Sequence, residues 1–369
     1  MNNSKHSRNP FRKIGYIPPT KEILEIAFQK AKTPRSRKKK KRLSREEKIA
    51  INEGDKISTI ASEIIDKLSN IVNQFPWIYD IHPFYIEICD LLGSVDKIKR
   101  ILGRVDGISN QIREIEREQI AKLHQTNHPI EMAQIRRESS GRFSSLVRKA
   151  DGDIKYLIRT VKKLKTVPDF DVSFPTIVVA GAPNVGKSSL VKEISSGSPE
   201  IGEYPFTTKE IVFGHRDFRF IKVQIVDTPG LLDRPFKERN IIERQSIASI
   251  KHIADLIIFM FDMSSDTTIS LDEQIHLLED IRKEFPDTPT LKVLNKIDIL
   301  SEKDRTRAEK LFEKHLQISL QDKIGLEELI IELKKEVNKI LKKEKFKEFL
   351  SLTISDEYMS KEDAIDYDI

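Results

Sequence analysis

Cysteine is almost absent from this sequence: Cys89 stands alone among 369 residues. No intramolecular disulfide can form, and a reducing compartment is the expected setting. Long apolar runs are missing too. The longest, around Ile177–Ala182 and Leu256–Phe261, fall far short of the roughly 20 residues a membrane-spanning helix needs. The polar, basic N-terminus has no signal-peptide core. A soluble, cytoplasmic protein without stable membrane association is therefore expected, and the chain has no acylation or prenylation motif to anchor it. Residues 46–166 lack strand signals, and no internal repeat is visible.

Charge is abundant. Charged residues make up 33% of the chain and hydrophobic ones 38%, enough to fold but with much surface. The net charge of +6 and the pI near 9.0 favour an anionic partner, nucleic acid or an acidic membrane surface. The length predicts two folded units plus tails. Residues 1–45 read as a basic arm with a short helix, which Thr20 can cap after Pro18-Pro19. Residues 37–42 are six consecutive cations, a run that repels itself unless something anionic covers it and that otherwise reads as a solvated linker.

Over residues 46–167 apolar residues recur at helical steps, as in Ile57, Ile60, Ile64, Leu68 and Ile71. Pro76, Pro83, Gly107, Pro129 and Gly141 divide this stretch into four or five helices of an antiparallel bundle. Residues 168–345 instead alternate short apolar runs with amphipathic segments. The runs Thr176–Ala182, Lys222–Thr228, Asp255–Asp262, Thr290–Asn295 and His315–Ser319 read as strands, and a final helix runs from near Gly325 past Leu341. The expected fold class is α/β: a Ras-like P-loop GTPase domain, mostly parallel sheet with helices on both faces, preceded by an all-α bundle. Residues 346–369 form an acidic tail.

Gly181-Ala182-Pro183-Asn184-Val185-Gly186-Lys187-Ser188 follows a buried-type strand and precedes a helix, the context that a phosphate-binding loop requires. Its glycines let backbone N–H groups turn inward around a β-phosphate, while Lys187 reaches the β- and γ-oxygens. Ser188 ligates magnesium, and Ser189 supports the α-phosphate. Asp227-Thr228-Pro229-Gly230 closes a strand forty residues after Lys187. Alone it reads equally well as an ordinary turn; at that spacing Asp227 can hold a magnesium-bound water and the Gly230 amide can bind the γ-phosphate.

Asn295-Lys296-Ile297-Asp298 closes another strand. The Asp298 carboxylate can accept from N1–H and the exocyclic amine of guanine, a pair of donors that adenine lacks, with Lys296 along the base plane. GTP and GDP are thus favoured over adenine nucleotides. Tyr204-Pro205-Phe206-Thr207-Thr208 lies where a switch loop supplies a hydroxyl to magnesium; Thr208 is favoured, with Thr207 second. Ser319-Leu320-Gln321 is the candidate backbone contact to the guanine oxygen. After Gly230 stands Leu231, which cannot orient an attacking water, so intrinsic hydrolysis should be slow. A partner or a monovalent cation would complete the site, with Asn184 as the candidate potassium ligand.

The Asn184-containing loop, YPFTTK at 204–209 and DTPGLLDRP…ERNIIE at 227–243 resemble the Obg-related GTPases, specifically the Nog family of nucleolar-type GTP-binding proteins. DIHPFYIEICDLL (80–92), RRESSGRFSSL (136–146) and FPTIVVAG (174–181) are similar to that family's N-terminal domain. The likeness covers most of residues 10–345 and is to the short archaeal form, without the long C-terminal extension of eukaryotic members. It implies a GTP-controlled assembly factor for the large ribosomal subunit that contacts pre-ribosomal rRNA and proteins. The run at 37–42 would then neutralise rRNA phosphates. With no interleaved aromatics, it would add affinity rather than base readout. Two other readings remain: an RNA- or protein-binding module with negligible unassisted turnover, and a GTPase at an anionic membrane surface. Oligomeric state is left open.

Overall fold

A buried apolar stripe needs a partner, and α1 (Thr20–Lys32) and α2 (Arg45–Gln74) supply one another with it. In this computed structural model the described residues are 9–33, 44–167, 169–203, 210–218, 221–227, 232–234, 241–265, 267, 269–311, 315–343, 345 and 346. They divide into a helical unit, residues 10–81 and 92–165, and a sheet unit, residues 82–91 and 166 onward with Asn9.

In the helical unit, α2 starts with a capping box in which Ser44 and Glu47 satisfy each other's backbone amides. It buries Ile57, Ile60, Ile64, Leu68 and Ile71 against α1, α4 (Val95–Leu123) and α5 (Pro129–Lys149). The cations Lys30 and Arg136 pair with the buried carboxylates Glu63 and Glu53, so these acids are not stranded in the core. α6 (Asp151–Thr166) completes the unit, and Tyr156 donates to the Gly93 carbonyl at 2.6 Å.

Three expectations change here. Gly107 and Gly141 do not break helices: α4 and α5 run straight through them, because the packed face of each helix outweighs the roughly 1 kcal/mol cost of one glycine. Thr20 is not the cap of α1 but its first residue; Pro19 precedes it, and the Thr20 hydroxyl donates to Asp151 at 2.5 Å. Finally, α1 packs on α2 as part of the helical unit rather than standing on an arm. The run at 37–42 lies outside the described residues.

Among the described residues, the sheet unit holds seven strands in the order β2-β3-β4-β1-β5-β6-β7. The parallel strands β1 (Thr176–Gly181) and β5 (Leu256–Asp262) carry nearly unbroken apolar runs, as strands covered on both faces must, whereas β6 (Thr290–Asn295) has Lys292 mid-strand and is buried only over Val293–Asn295. β4 (Ile221–Asp227) is parallel to β1, and β7 (Leu316–Gln317) is parallel to β6. Two strands had no counterpart in the sequence reading, β2 (Glu200–Glu203) and β3 (Glu210–Phe218), which pair antiparallel with each other and with β4. Their mix of Glu, Gly, His, Arg and Asp lacks the apolar texture of the inner strands.

Helices α7 (Lys187–Ile194), α8 (Ile241–Lys251), α9 (Leu271–Glu284), α10 (Glu302–Leu311) and α11 (Leu326–Leu341) connect the strands or follow them. Leu329, Leu333, Val337 and Ile340 of α11 share one core with Val191 and Ile194 of α7 and with Ile177, Val179 and Ile258 of the sheet. α3 (Pro83–Gly93) begins in this unit, where Tyr85 donates to the Phe170 carbonyl at 3.0 Å and Phe84 meets Phe170 edge-on.

Candidate nucleotide-binding site

Parallel register brings the chemical residues to one edge. Val179 pairs with Asp227, Gly181 with Met260, and Asp262 with Asn295, so the carboxyl ends of β1, β4, β5 and β6 meet on the same side. The strand order turns about β1, which is where open α/β sheets place their ligands.

The loop after β1 is shaped by positive φ angles. Gly181 has φ +139°, and a Cβ there would lie 2.5 Å from the Met260 carbonyl oxygen. Gly186, at φ +101°, caps α7; a Cβ would lie 2.5 Å from the Asn295 side-chain nitrogen. Asn184 takes φ 64°, a conformation its short polar side chain tolerates. The backbone therefore curls ahead of α7, whose N-terminus favours negative charge. Ala182 and Val185 are buried beneath the loop, Pro183 is half-buried, and Asn184, Ser188 and Ser189 face solvent.

Lys187 is folded back into the loop. Its ammonium donates to the carbonyls of Gly181 at 2.9 Å and Ala182 at 2.7 Å. The Ser188 hydroxyl donates to the Asp227 carboxylate, which is fully buried at the end of β4. Leu232, five residues after Asp227, accepts from the Gly181 amide through its carbonyl at 3.1 Å, joining the two motifs by backbone as well. Arg234 and Glu243, both from the DRP…IE stretch, pair at 2.7 Å.

A second group lies beyond β6. The Asn295 side chain donates to the Val185 carbonyl at 2.9 Å and accepts from the Leu320 amide at 3.3 Å. Ser319 is buried and bridged to Ile324, and its hydroxyl accepts from the Asp322 amide at 3.1 Å. Asp298 sits half-buried in the short turn Ile297–Ile299, whose Ile297 carbonyl accepts from Arg305 at 2.7 Å. The Lys296 ammonium, at φ 61°, lies 2.6 Å from Asp262. Phe206, Thr207, Thr208, Thr228, Pro229, Gly230 and Leu231 lie outside the described residues.

Sequence reasoning missed Asp262 and Gln274. Asp262 ends the apolar run of β5, and its backbone amide and carbonyl are held by the buried Gln274 side chain at 3.0 and 2.7 Å. The signal was an acid closing a six-residue apolar run, LIIFMF.

Comparison with known proteins agrees with this geometry. Residues 11–171 match the NOG1 N-terminal helical domain, and residues 176–296 match the family described as 50S ribosome-binding GTPase. An uncharacterised protein of Methanocaldococcus jannaschii is 35% identical over 294 residues, covering 80% of this chain and 82% of that protein. The nucleolar GTP-binding protein 1 of Drosophila melanogaster is 32% identical over 296 residues, 80% of this chain. The chain belongs to the nucleolar GTP-binding protein 1 family. It spans 45% of the Drosophila member and 43% of the Caenorhabditis elegans one, which is also 32% identical. As a member it carries the family's helical domain followed by a P-loop GTPase domain, the fold class expected from its sequence. Among the described residues, no helix is long and apolar enough to cross a membrane.

Proposed function

We propose that this family member is a slow GTPase whose nucleotide state controls docking on, and release from, the assembling large ribosomal subunit. The observation that carries the reading is the contact between Ser188 and Asp227, which joins the phosphate loop to the strand leading into the second motif. The two side chains offer hard oxygen donors of the kind magnesium takes. When bound, magnesium would neutralise charge on the β- and γ-phosphates; Ser188, Asp227 and Thr208 would hold it. Lys187 would leave the Gly181 and Ala182 carbonyls for phosphate oxygens, and Ser189 would meet the α-phosphate. The backbone of residues 181–187 would enclose the β-phosphate, with the Gly230 amide at the γ-phosphate.

Asp298 would read guanine, Lys296 would flank the base, and the 319–320 backbone would meet its oxygen. Phe206, Thr207, Thr228 and Pro229 would line the phosphate end. Leu231 leaves no side chain there to orient water, so hydrolysis awaits a partner or potassium near Asn184. A matched family described as 50S ribosome-binding, and relatives named as nucleolar GTP-binding proteins, support the large-subunit assignment, and the run at 37–42 supports contact with rRNA. The single cysteine supports a reducing compartment, and we place the protein in the cytoplasm.

The test is single-turnover GTP hydrolysis with and without large-subunit precursor particles, coupled to co-sedimentation. Particles should accelerate turnover, and the GTP form should co-sediment while the GDP form is released. Identical rates together with identical sedimentation of both forms would refute the reading.

A further inference from the structure

The helical unit exposes an aromatic pair that its core does not use. Trp77 and Tyr79 leave 69% and 79% of their surface open, with ring centres 6.0 Å apart and planes tilted by 50°. Two large aromatics so exposed and so close call for an explanation that a lone exposed residue would not. They are also held in place: Pro76 precedes them, the Asp80 amide donates to the Trp77 carbonyl at 2.9 Å, and the Ile81 amide donates to Ile78 at 3.3 Å.

Beside the pair runs the start of α4, where the Lys99 ammonium lies 5.2 Å from the Tyr79 ring centre. Arg100 is exposed one residue on, its Nε donating to the Asp96 carbonyl at 3.3 Å. One turn further, Gly103 is exposed, and a Cβ added there would meet nothing within 4 Å. Packing therefore does not call for that glycine, and it leaves the helix surface beside the cations low enough for close approach. Lys99 and Arg100 are exposed, while Arg104 is held by Asp153.

We propose that Trp77 and Tyr79 form a stacking platform for unpaired RNA bases, with Lys99 and Arg100 taking the adjoining phosphates. A flat ring accepts any base, and cations at its edge follow the backbone between bases, the combination that single-strand binders use. Exposed cations beside the rings favour a polyanion over a protein anchor. The proposal deepens the assembly-factor reading, and it rests on that reading only for which RNA is met in the cell.

Trp77 is the single tryptophan of the chain, so its emission reads the platform directly. The full-length protein, without nucleotide, is titrated with a short uridine oligomer and, separately, with heparin, which is anionic but has no bases. The oligomer should quench the emission and heparin should not. By anisotropy of a labelled oligomer, Trp77→Ala should weaken binding about tenfold, while Trp77→Phe, which keeps a ring, should lose clearly less. Emission unchanged at oligomer concentrations that saturate anisotropy would overturn the proposal, as would no oligomer binding even at low salt. Unaltered affinity in Trp77→Ala would overturn it too and leave the patch to a protein partner. Asp298→Asn, impaired in GTP binding, should give the same quenching, so failure of the nucleotide switch and failure of the platform are told apart.

Discussion

The Asn295 side chain donates to the backbone carbonyl of Val185 at 2.9 Å, across 110 residues of sequence. The same amide group accepts from Leu320, so one side chain ties the loop after β1 to the segment after β7. Asn295→Ala removes both bonds inside a buried setting and leaves the Val185 carbonyl without this donor. A loss of about 2 kcal/mol in stability is expected by denaturant titration, together with a drop in affinity for GTP and GDP alike. Full nucleotide affinity in that variant would mean the two loops hold themselves.

Asp298→Asn tests base reading. An amide presents a donor where guanine's exocyclic amine also donates, so GTP affinity should fall by on the order of 100-fold, two charge-assisted bonds being lost. Xanthine, with a carbonyl at that ring position, should bind the variant better than guanine does. Equal preference for the two bases in the variant would remove Asp298 from the role.

A pH effect should come from His82. Burial, then the Lys345 ammonium and His252, holds its pKa down to about 4 from an ordinary 6.5, and its Nδ1 accepts from the Phe84 amide at 3.3 Å. The unfolded chain binds a proton on this residue between those two values while the folded chain does not. The stabilising contribution is therefore complete above about 6.5 and lost as pH falls towards 4. The melting temperature should drop between pH 7 and pH 5, and His82→Asn, which keeps an acceptor but cannot titrate, should flatten that slope.

GTP turnover should be several-fold faster in potassium than in sodium, and Asn184→Ala should abolish the difference, as read by phosphate release. Equal rates in the two salts for the unaltered protein would end the potassium assignment.

Replacing the six cations of residues 37–42 with serine should weaken association with pre-ribosomal particles and flatten its dependence on salt. Unchanged association in sedimentation assays would show that the run is only a linker.

The strands behind the candidate site were legible because apolar residues cluster just before their carboxyl ends, and each candidate residue closes one: Gly181 after IVVA, Asp227 after IV and Asn295 after VL. The helical unit was legible by its period. The antiparallel strands β2 and β3 were not, since they carry charges and glycines that a loop would carry too; what holds them is pairing with β4, a long-range effect invisible to local texture. Gly107 and Gly141 misled for the opposite reason, a local signal overruled by packing on the far side of the helix. The tie through Asn295 could not be read at all, because it depends on two loops meeting in space.

The register of β3 on its neighbours has a mechanical consequence. Glu203 pairs with Glu210, and β3 in turn pairs along its length with β4, where Val212 lies opposite Asp227. Sliding β3 by one step against β4 would turn every side chain of the strand to the opposite face. The pairing that sets β3 therefore also fixes which of its residues lies beside Asp227, and a change of register there would be felt at the carboxyl end of β4.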